Sequence, residues 1–206
     1  AGVDAESVDH VVMGNALQTS VDAIYGARHV GLKAGTKQSC PALTVNRLCG
    51  SGIQALVSGA QMIQLGEAET VLAGGMESMS QAPYAFYGGR NGIPFGTTPE
   101  LQDTLFAALM DPMAGLYMAQ TAEKVAKTRE ITRDAQDEYA LRSHQLGAAA
   151  VAEGRFAEEI APVVIETRKG ELVFDTDDHI RPETSLEALS KLRAAFGKEG
   201  TVTAGN

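Results

Sequence analysis

Tryptophan is absent from this 206-residue chain, and aromatic residues make up only 5% of it. That scarcity argues against an aromatic-rich binding surface and suits close packing of helices on a sheet. Only two cysteines occur, Cys40 and Cys49. They are too few and wrongly spaced for a zinc site or a disulfide framework, so no metal set is expected and the usage fits a reducing compartment. Positive charge is scarce as well. Seventeen Lys and Arg face 26 Asp and Glu, a net charge of −9. Nucleic-acid binding through a basic footprint is thereby excluded. An anionic cofactor is not, because a few local arginines decide that. No apolar run approaches the length of a membrane span, and no signal-peptide pattern opens the chain. The chain begins Ala1-Gly2-Val3 without a methionine and stops inside a strand-and-loop pattern, so both ends are expected to be cut.

What the chain does have is Ala, Gly and a hydrophobic content of 44% beside 21% charged residues, the balance of an ordinary globular protein. Its length allows one or two domains. Residues 1–80 alternate strand and helix patterns: a strand over 8–14, a helix over 22–32 with Ile24, Arg28 and Leu32 at four-residue spacing, a strand over 42–48, a helix over 50–65 and a strand over 70–73. Such alternation predicts a mostly parallel sheet. At Gln81 the texture changes to an irregular stretch rich in proline, glycine, Tyr and Phe. A long helical region follows over 117–153. Thr132 is its candidate N-cap, Gly154 its C′ residue, and Ala135, Tyr139, Ser143, Leu146 and Ala150 its expected inner stripe. Alternation over 161–165 and 172–174 predicts a hairpin turning at Lys169-Gly170.

The run Asn46-Arg47-Leu48-Cys49-Gly50-Ser51-Gly52 carries the most chemical information. It sets one thiol between an apolar strand and a glycine-opened helix, with Ile53, Leu56, Val57, Ala60 and Ile63 recurring at helical spacing beyond it. A thiol in the first helical turn would face unpaired N–H groups and the positive end of the macrodipole, which favour the nucleophilic thiolate. Gly50 and Gly52 leave room for a substrate carbonyl to reach the backbone. The pair Gly74-Gly75 fits neither a P-loop nor a dinucleotide fingerprint, and is read as a tight strand exit beneath the Cys49 turn.

Together with Gly74-Gly75-Met76-Glu77-Ser78-Met79-Ser80, Thr121-Ala122-Glu123, Gly154-Arg155-Phe156, Lys191-Leu192-Arg193 and Gly200-Thr201-Val202-Thr203-Ala204-Gly205-Asn206, that heptad resembles the thiolase family, with the blocks in family order along the whole chain. The resemblance implies an α/β fold: a layered αβαβα sandwich of two similar halves, with a lid inserted in the first. Residues 1–80 correspond to the first half without its opening strand, 81–200 to a lid over coenzyme A, and 201–206 to the start of the return to the core. It also implies an acyl-CoA acyltransferase that makes or cleaves 3-oxoacyl-CoA, with coenzyme A and acetyl-CoA as substrates and no covalently bound cofactor. The full-length protein is expected to be a homo-oligomer, dimer or tetramer, in the cytoplasm or an organellar matrix.

By the same resemblance Cys49 is the nucleophile that carries the acyl group, and its own N–H an oxyanion donor. Leu109, Met118, Arg181 and Ala204 match positions that contact coenzyme A. Arg181 suits this because a guanidinium stacks on adenine and meets phosphate. The family's Gly-His-Pro, Cys-x-Gly-Gly-Gly and Asn-Glu-Ala motifs, which hold the activating His, the second Cys and an oxyanion-hole Asn, do not occur here. No sequence argument sets His10, His29, His144 or His179 near Cys49. Tyr117 stands where short-chain acetoacetyl-CoA thiolases carry a His, so the chain is similar to the β-oxidation type with a broad chain-length range. Three rivals stand beside this reading: a β-ketoacyl synthase, a cysteine hydrolase pairing Cys49 with His144, and a non-catalytic remnant.

Overall fold

The computed structural model describes residues 2–206, which divide into two compact units meeting between Met110 and Asp111. The first is built on a three-stranded parallel sheet in the order β2-β1-β3, from β1 (His10–Gly14), β2 (Ala42–Val45) and β3 (Val71–Gly75). Helix α1 (Gly26–Ala34) links β1 to β2, and α2 (Ser51–Gln64) links β2 to β3. The two crossovers run in opposite directions along the sheet. Right-handed connections therefore put α1 and α2 on opposite faces, and β1 is covered on both sides. That is why β1 reads as a continuous apolar run, with Val11 and Val12 at 1% and 0% exposure.

Small residues set how closely the helices lie. The buried stripe of α2 is Ser51, Ala55 and Gly59, at four-residue spacing. A Cβ at Gly59 would stand 3.0 Å from the Val71 Cγ1. The large aliphatics that gave the sequence its helical period, Ile53, Leu56, Val57 and Ile63, point outward and are exposed. Helix α1 does the same: Gly26, Ala27 and Gly31 are buried while Leu32 is exposed, as is Ile24 in the turn just before it. The helix expected over 50–65 is found as α2, whereas the one expected over 22–32 starts as a separate 3-10 turn (Ala23–Tyr25) and becomes α1 only at Gly26. Val11, Met13, Ala27 and Cys40 form the core on the α1 side.

The rest of the first unit is irregular and mostly exposed. Two-residue strands at Tyr84–Ala85 and Gln102–Asp103 pair antiparallel, and α3 (Thr104–Ala108) begins at Asp103, whose carboxylate accepts the Leu105 and Phe106 N–H groups at 2.9 and 3.3 Å.

In the second unit, α4 (Met118–Thr128) and α5 (Arg133–Ala152) replace the single long helical region. Thr132 caps α5 by accepting the Ala135 N–H at 3.2 Å, and Gly154 takes a φ of +70° just past its end. The inner stripe of α5 differs from the expected one, since Tyr139 and Leu146 are 72% and 54% exposed. What α5 buries instead is polar. Asp137, only 3% exposed, receives the Arg133 Nε on both oxygens at 3.0 and 2.8 Å and the Asn206 Nδ2 at 2.6 Å. Arg133 also donates to the Leu189 and Leu192 carbonyls, fastening the segment around α6 (Leu186–Ser190). A closed ionic network takes the place of an apolar seam, so apolar periodicity could not find that face. The hairpin of Val163–Thr167 with Gly170–Phe174 turns where expected.

The candidate catalytic cysteine and its turn

All three strands of the parallel sheet end on the same side, and Cys49 follows β2 there. In open parallel sheets, ligands gather outside these carboxyl ends, where the strand order reverses. Cys49 is exposed and Cys40 is buried. Cys49 does not lie in the first helical turn. Gly50 is the N-cap of α2 and Ser51 its first residue, so Cys49 stands one position before the cap. Its N–H donates to no acceptor among the described residues.

The turn that presents Cys49 is heavily determined. Leu48 has a φ of +50°, unfavourable for a residue with a Cβ and a branched chain beyond it. Its N–H donates to the Asn46 Oδ1 at 2.9 Å. Its carbonyl accepts the Ser51 hydroxyl at 2.6 Å and the Ser51 N–H at 3.0 Å. The same Ser51 Oγ accepts the Arg47 N–H at 2.9 Å, which satisfies a side chain only 6% exposed. The Arg47 carbonyl accepts the Gly50 N–H at 3.0 Å. The left-handed residue is thus held directly before Cys49, and strain that the surroundings over-determine in this way clusters at functional sites.

Glycine lets this turn sit on the sheet. A Cβ at Gly14, the last residue of β1, would fall 2.5 Å from the Ser51 carbonyl carbon and 2.7 Å from the Gly52 nitrogen. At Gly75, which ends β3, it would lie 3.5 Å from the Gly52 Cα. The strand-exit reading of Gly74-Gly75 has its geometry here. A Cβ at Gly52 would meet nothing within 4 Å among the described residues, so their packing does not demand that glycine. A hollow of about 640 Å³ opens at the ends of β1 and β2 between Asn15, Leu17, Tyr25, Arg28, Thr44 and Asn46; Cys49 does not line it.

None of the four histidines hydrogen-bonds to Cys49 among the described residues. The His10 Nδ1 lies 3.2 Å from the Val11 carbonyl, and the His29 Nδ1 lies 3.3 Å from the Asp22 Oδ2. The Ser20 hydroxyl and then His29 hold the Asp22 carboxyl below its usual value. The His144 Nδ1 accepts the Arg181 N–H at 3.2 Å, and its ring lies 6.5 Å from that of His179.

The profile of the family described as "Thiolase, N-terminal domain" matches residues 1–206. The chain belongs to the thiolase family. It is 52% identical over 204 residues to the mitochondrial 3-ketoacyl-CoA thiolase of Homo sapiens, an alignment covering 99% of this chain and 51% of that protein. To the beta-ketothiolase BktB of Cupriavidus necator it is 47% identical over 207 residues, covering 100% and 52% respectively. The crystal structure of human mitochondrial 3-ketoacyl-CoA thiolase in complex with CoA superposes with a TM-score of 0.92 at 51% identity, covering 99% of this chain and 51% of that one. The fold is therefore the thiolase fold, and the chain spans about half the length of the curated thiolases it matches.

The other expected site residues sit as follows. Leu109, in the first unit, is the C-cap of α3 and 44% exposed. In the second unit, Met118 opens α4 and is 46% exposed. Arg181 is exposed, and its guanidinium forms no ion pair with Asp178, Glu183 or any other described residue. Ala204 lies exposed in a closed loop, where the Asn206 Oδ1 accepts the Thr203 N–H at 2.7 Å and the Thr203 hydroxyl oxygen accepts the Gly205 N–H at 3.0 Å. Glu123 anchors that loop. Its carboxylate accepts the Thr201 N–H at 2.8 and 2.9 Å, the Val202 N–H at 2.8 Å and the Thr201 hydroxyl at 3.0 Å. Partial burial pushes the Glu123 carboxyl up, and these donors outweigh it and hold it below its ordinary value.

Proposed function

We propose that the protein containing this chain is an acyl-CoA acyltransferase acting through an S-acyl-Cys49 intermediate. In thiolysis the Cys49 sulfur attacks the 3-oxo carbon of a 3-oxoacyl-CoA. The bond between C2 and C3 breaks, the C2 carbanion takes a proton to leave as acetyl-CoA, and the shortened acyl group stays on sulfur. The thiol of a second coenzyme A then accepts that acyl group and frees Cys49. The observation that carries the reading is the position of Cys49: exposed, at the carboxyl ends of the strands, behind a held left-handed residue, in a chain matched end to end by the thiolase profile.

The Cys49 N–H, without an acceptor among the described residues, would donate to the oxyanion that forms on the attacked carbonyl. Gly52 leaves that approach open. The base that activates Cys49 and the acid/base for the substrate α-carbon come from outside this chain in this reading. Residues 1–80 act as the cysteine-bearing half-core and 81–200 as the lid. Leu109, Met118, Arg181 and Ala204 contact coenzyme A, and Tyr117 goes with chains longer than four carbons. We further infer a homo-oligomer, acting in the cytoplasm or an organellar matrix. The test uses the full reading frame that carries this chain. Cys49→Ala abolishes coenzyme A-dependent loss of a 3-ketoacyl-CoA, whereas release of free acid without coenzyme A supports the hydrolase rival.

A further inference from the structure

The heptad places Cys49, and the second motif, Gly74 to Ser80, leaves one charged residue without a role. We propose that Glu77 is a positioning residue for the Cys49 turn, acting through the loop after β1 and the Asn46 side chain. The proposal deepens the nucleophile reading above and rests on it.

Glu77 lies two residues beyond β3, and its carboxylate closes the loop that leaves β1. One oxygen accepts the Ala16 N–H at 2.8 Å, and the other accepts the Leu17 N–H at 2.9 Å and the Asn15 Nδ2 at 2.9 Å. The Asn15 Nδ2 donates also to the Met76 carbonyl at 3.0 Å, which ties the two strand exits together. An ionised carboxylate offers four lone-pair sites and no donor, so it takes all three N–H groups at once. A neutral side chain of the same length could take them only at one oxygen.

The connection to Cys49 runs through Ala16. Its N–H is held by Glu77, and its carbonyl accepts the Asn46 Nδ2 at 3.1 Å. That bond fixes which way the Asn46 amide faces. With its NH₂ committed to the Ala16 carbonyl, its Oδ1 is the end turned to the Leu48 N–H, 2.9 Å away. Flipped, the amide would set donor against donor at Leu48. Leu48 is the residue at φ +50°, and Cys49 follows it. Each of the three strand exits thus supplies one part of the chain: Glu77 after β3, Ala16 after β1, Asn46 after β2. Without the Glu77 end the loop loses its carboxylate anchor, Asn46 can rotate, and the strained Leu48 loses the acceptor of its N–H.

The experiment compares E77A, E77Q and N46A with C49A in the full reading frame, using steady-state thiolysis of a 3-ketoacyl-CoA with thermal unfolding recorded beside it. E77A and N46A are expected to lower kcat tenfold or more, on the order that misplacing a reacting atom costs, with the KM for coenzyme A changed less than about threefold. E77Q, which keeps an oxygen at the right distance, is expected to recover at least part of the lost kcat. Because both residues act along one path, the E77A/N46A double variant is expected to lose less than the product of the two single losses. Wild-type kcat in a folded E77A or N46A overturns the proposal. So does a loss in which KM rises and kcat does not fall, or full multiplicativity in the double variant. If E77A does not fold, N46A decides the matter by the same kcat and KM criteria. Activity retained in C49A refutes the nucleophile reading itself, a result separate from any outcome at Glu77.

Discussion

Replacing Gly14 by alanine tests whether the Cys49 turn depends on glycine contact with the sheet beneath it. The added Cβ would fall 2.5 Å from the Ser51 carbonyl carbon, 2.6 Å from its oxygen and 2.7 Å from the Gly52 nitrogen. These are backbone atoms, so no flexible side chain can swing aside. The contact is about an ångström short of ordinary van der Waals separation, and the start of α2 must lift by a comparable amount. Overpacking of this kind costs about 1–3 kcal/mol of stability. A reacting atom misplaced by about 1 Å loses on the order of a hundredfold in rate. G14A in the full reading frame should therefore stay folded with a lowered unfolding midpoint and lose roughly a hundredfold in kcat for 3-ketoacyl-CoA thiolysis. Gly52 supplies the contrast. A Cβ there meets none of the described residues within 4 Å, so G52A should match or exceed the wild type in stability by up to ~1 kcal/mol, as alanine does in a helix. It should nonetheless lose activity if a substrate carbonyl approaches there. Wild-type kcat in a folded G14A would refute the reasoning, because the turn would then tolerate the displacement that the added Cβ imposes.

Iodoacetamide near neutral pH should alkylate Cys49 well before Cys40, since Cys49 is exposed and Cys40 only 5% so; equal labelling by mass spectrometry would count against that difference in access. The Glu123 carboxyl is held below its ordinary value, so its clamp on Thr201 and Val202 contributes stability fully above the unfolded-state value and loses it as pH falls through the lower folded one. Denaturant midpoints from neutral pH into the acid range should fall less steeply in E123Q than in the wild type, and identical slopes would sink the assignment. The 206-residue chain alone should self-associate, because Ile53, Leu56 and Ile63 stand 68%, 56% and 47% exposed along one helix; a monomer at micromolar concentration in size-exclusion chromatography would contradict this.

Residue pattern alone made much of the first unit legible. Strand–helix alternation located β1, β2, β3 and α2 to within a few residues, because a sheet covered on both faces writes itself as short apolar runs. It did not report which faces of α1 and α2 are buried, because Ala55, Gly59 and Gly31 pack through smallness while Ile53 and Leu56 carry the periodic signal outward. On α5 the buried residue is Asp137, which is held by Arg133 and Asn206 in a pairing no hydrophobic period reveals. At the site, the heptad singled out Cys49. It could not show that the thiol precedes the N-cap, nor that Leu48 takes a left-handed φ. That conformation depends on Asn46 and Ser51 folding back on the turn. The role of Glu77 depends on strand order, which brings position 77 to position 16, and nothing local in the sequence reports that.

The central claim, that Cys49 carries the acyl group, is tested most directly by trapping it. The full-length protein is incubated with acetyl-CoA in the absence of an acceptor thiol, quenched in acid, digested and read by mass spectrometry. The account predicts an acetyl adduct on the peptide containing Cys49, removed when coenzyme A is added before the quench and absent from C49S. An acetyl group on any other residue, or an adduct on Cys49 that coenzyme A does not discharge, would contradict it.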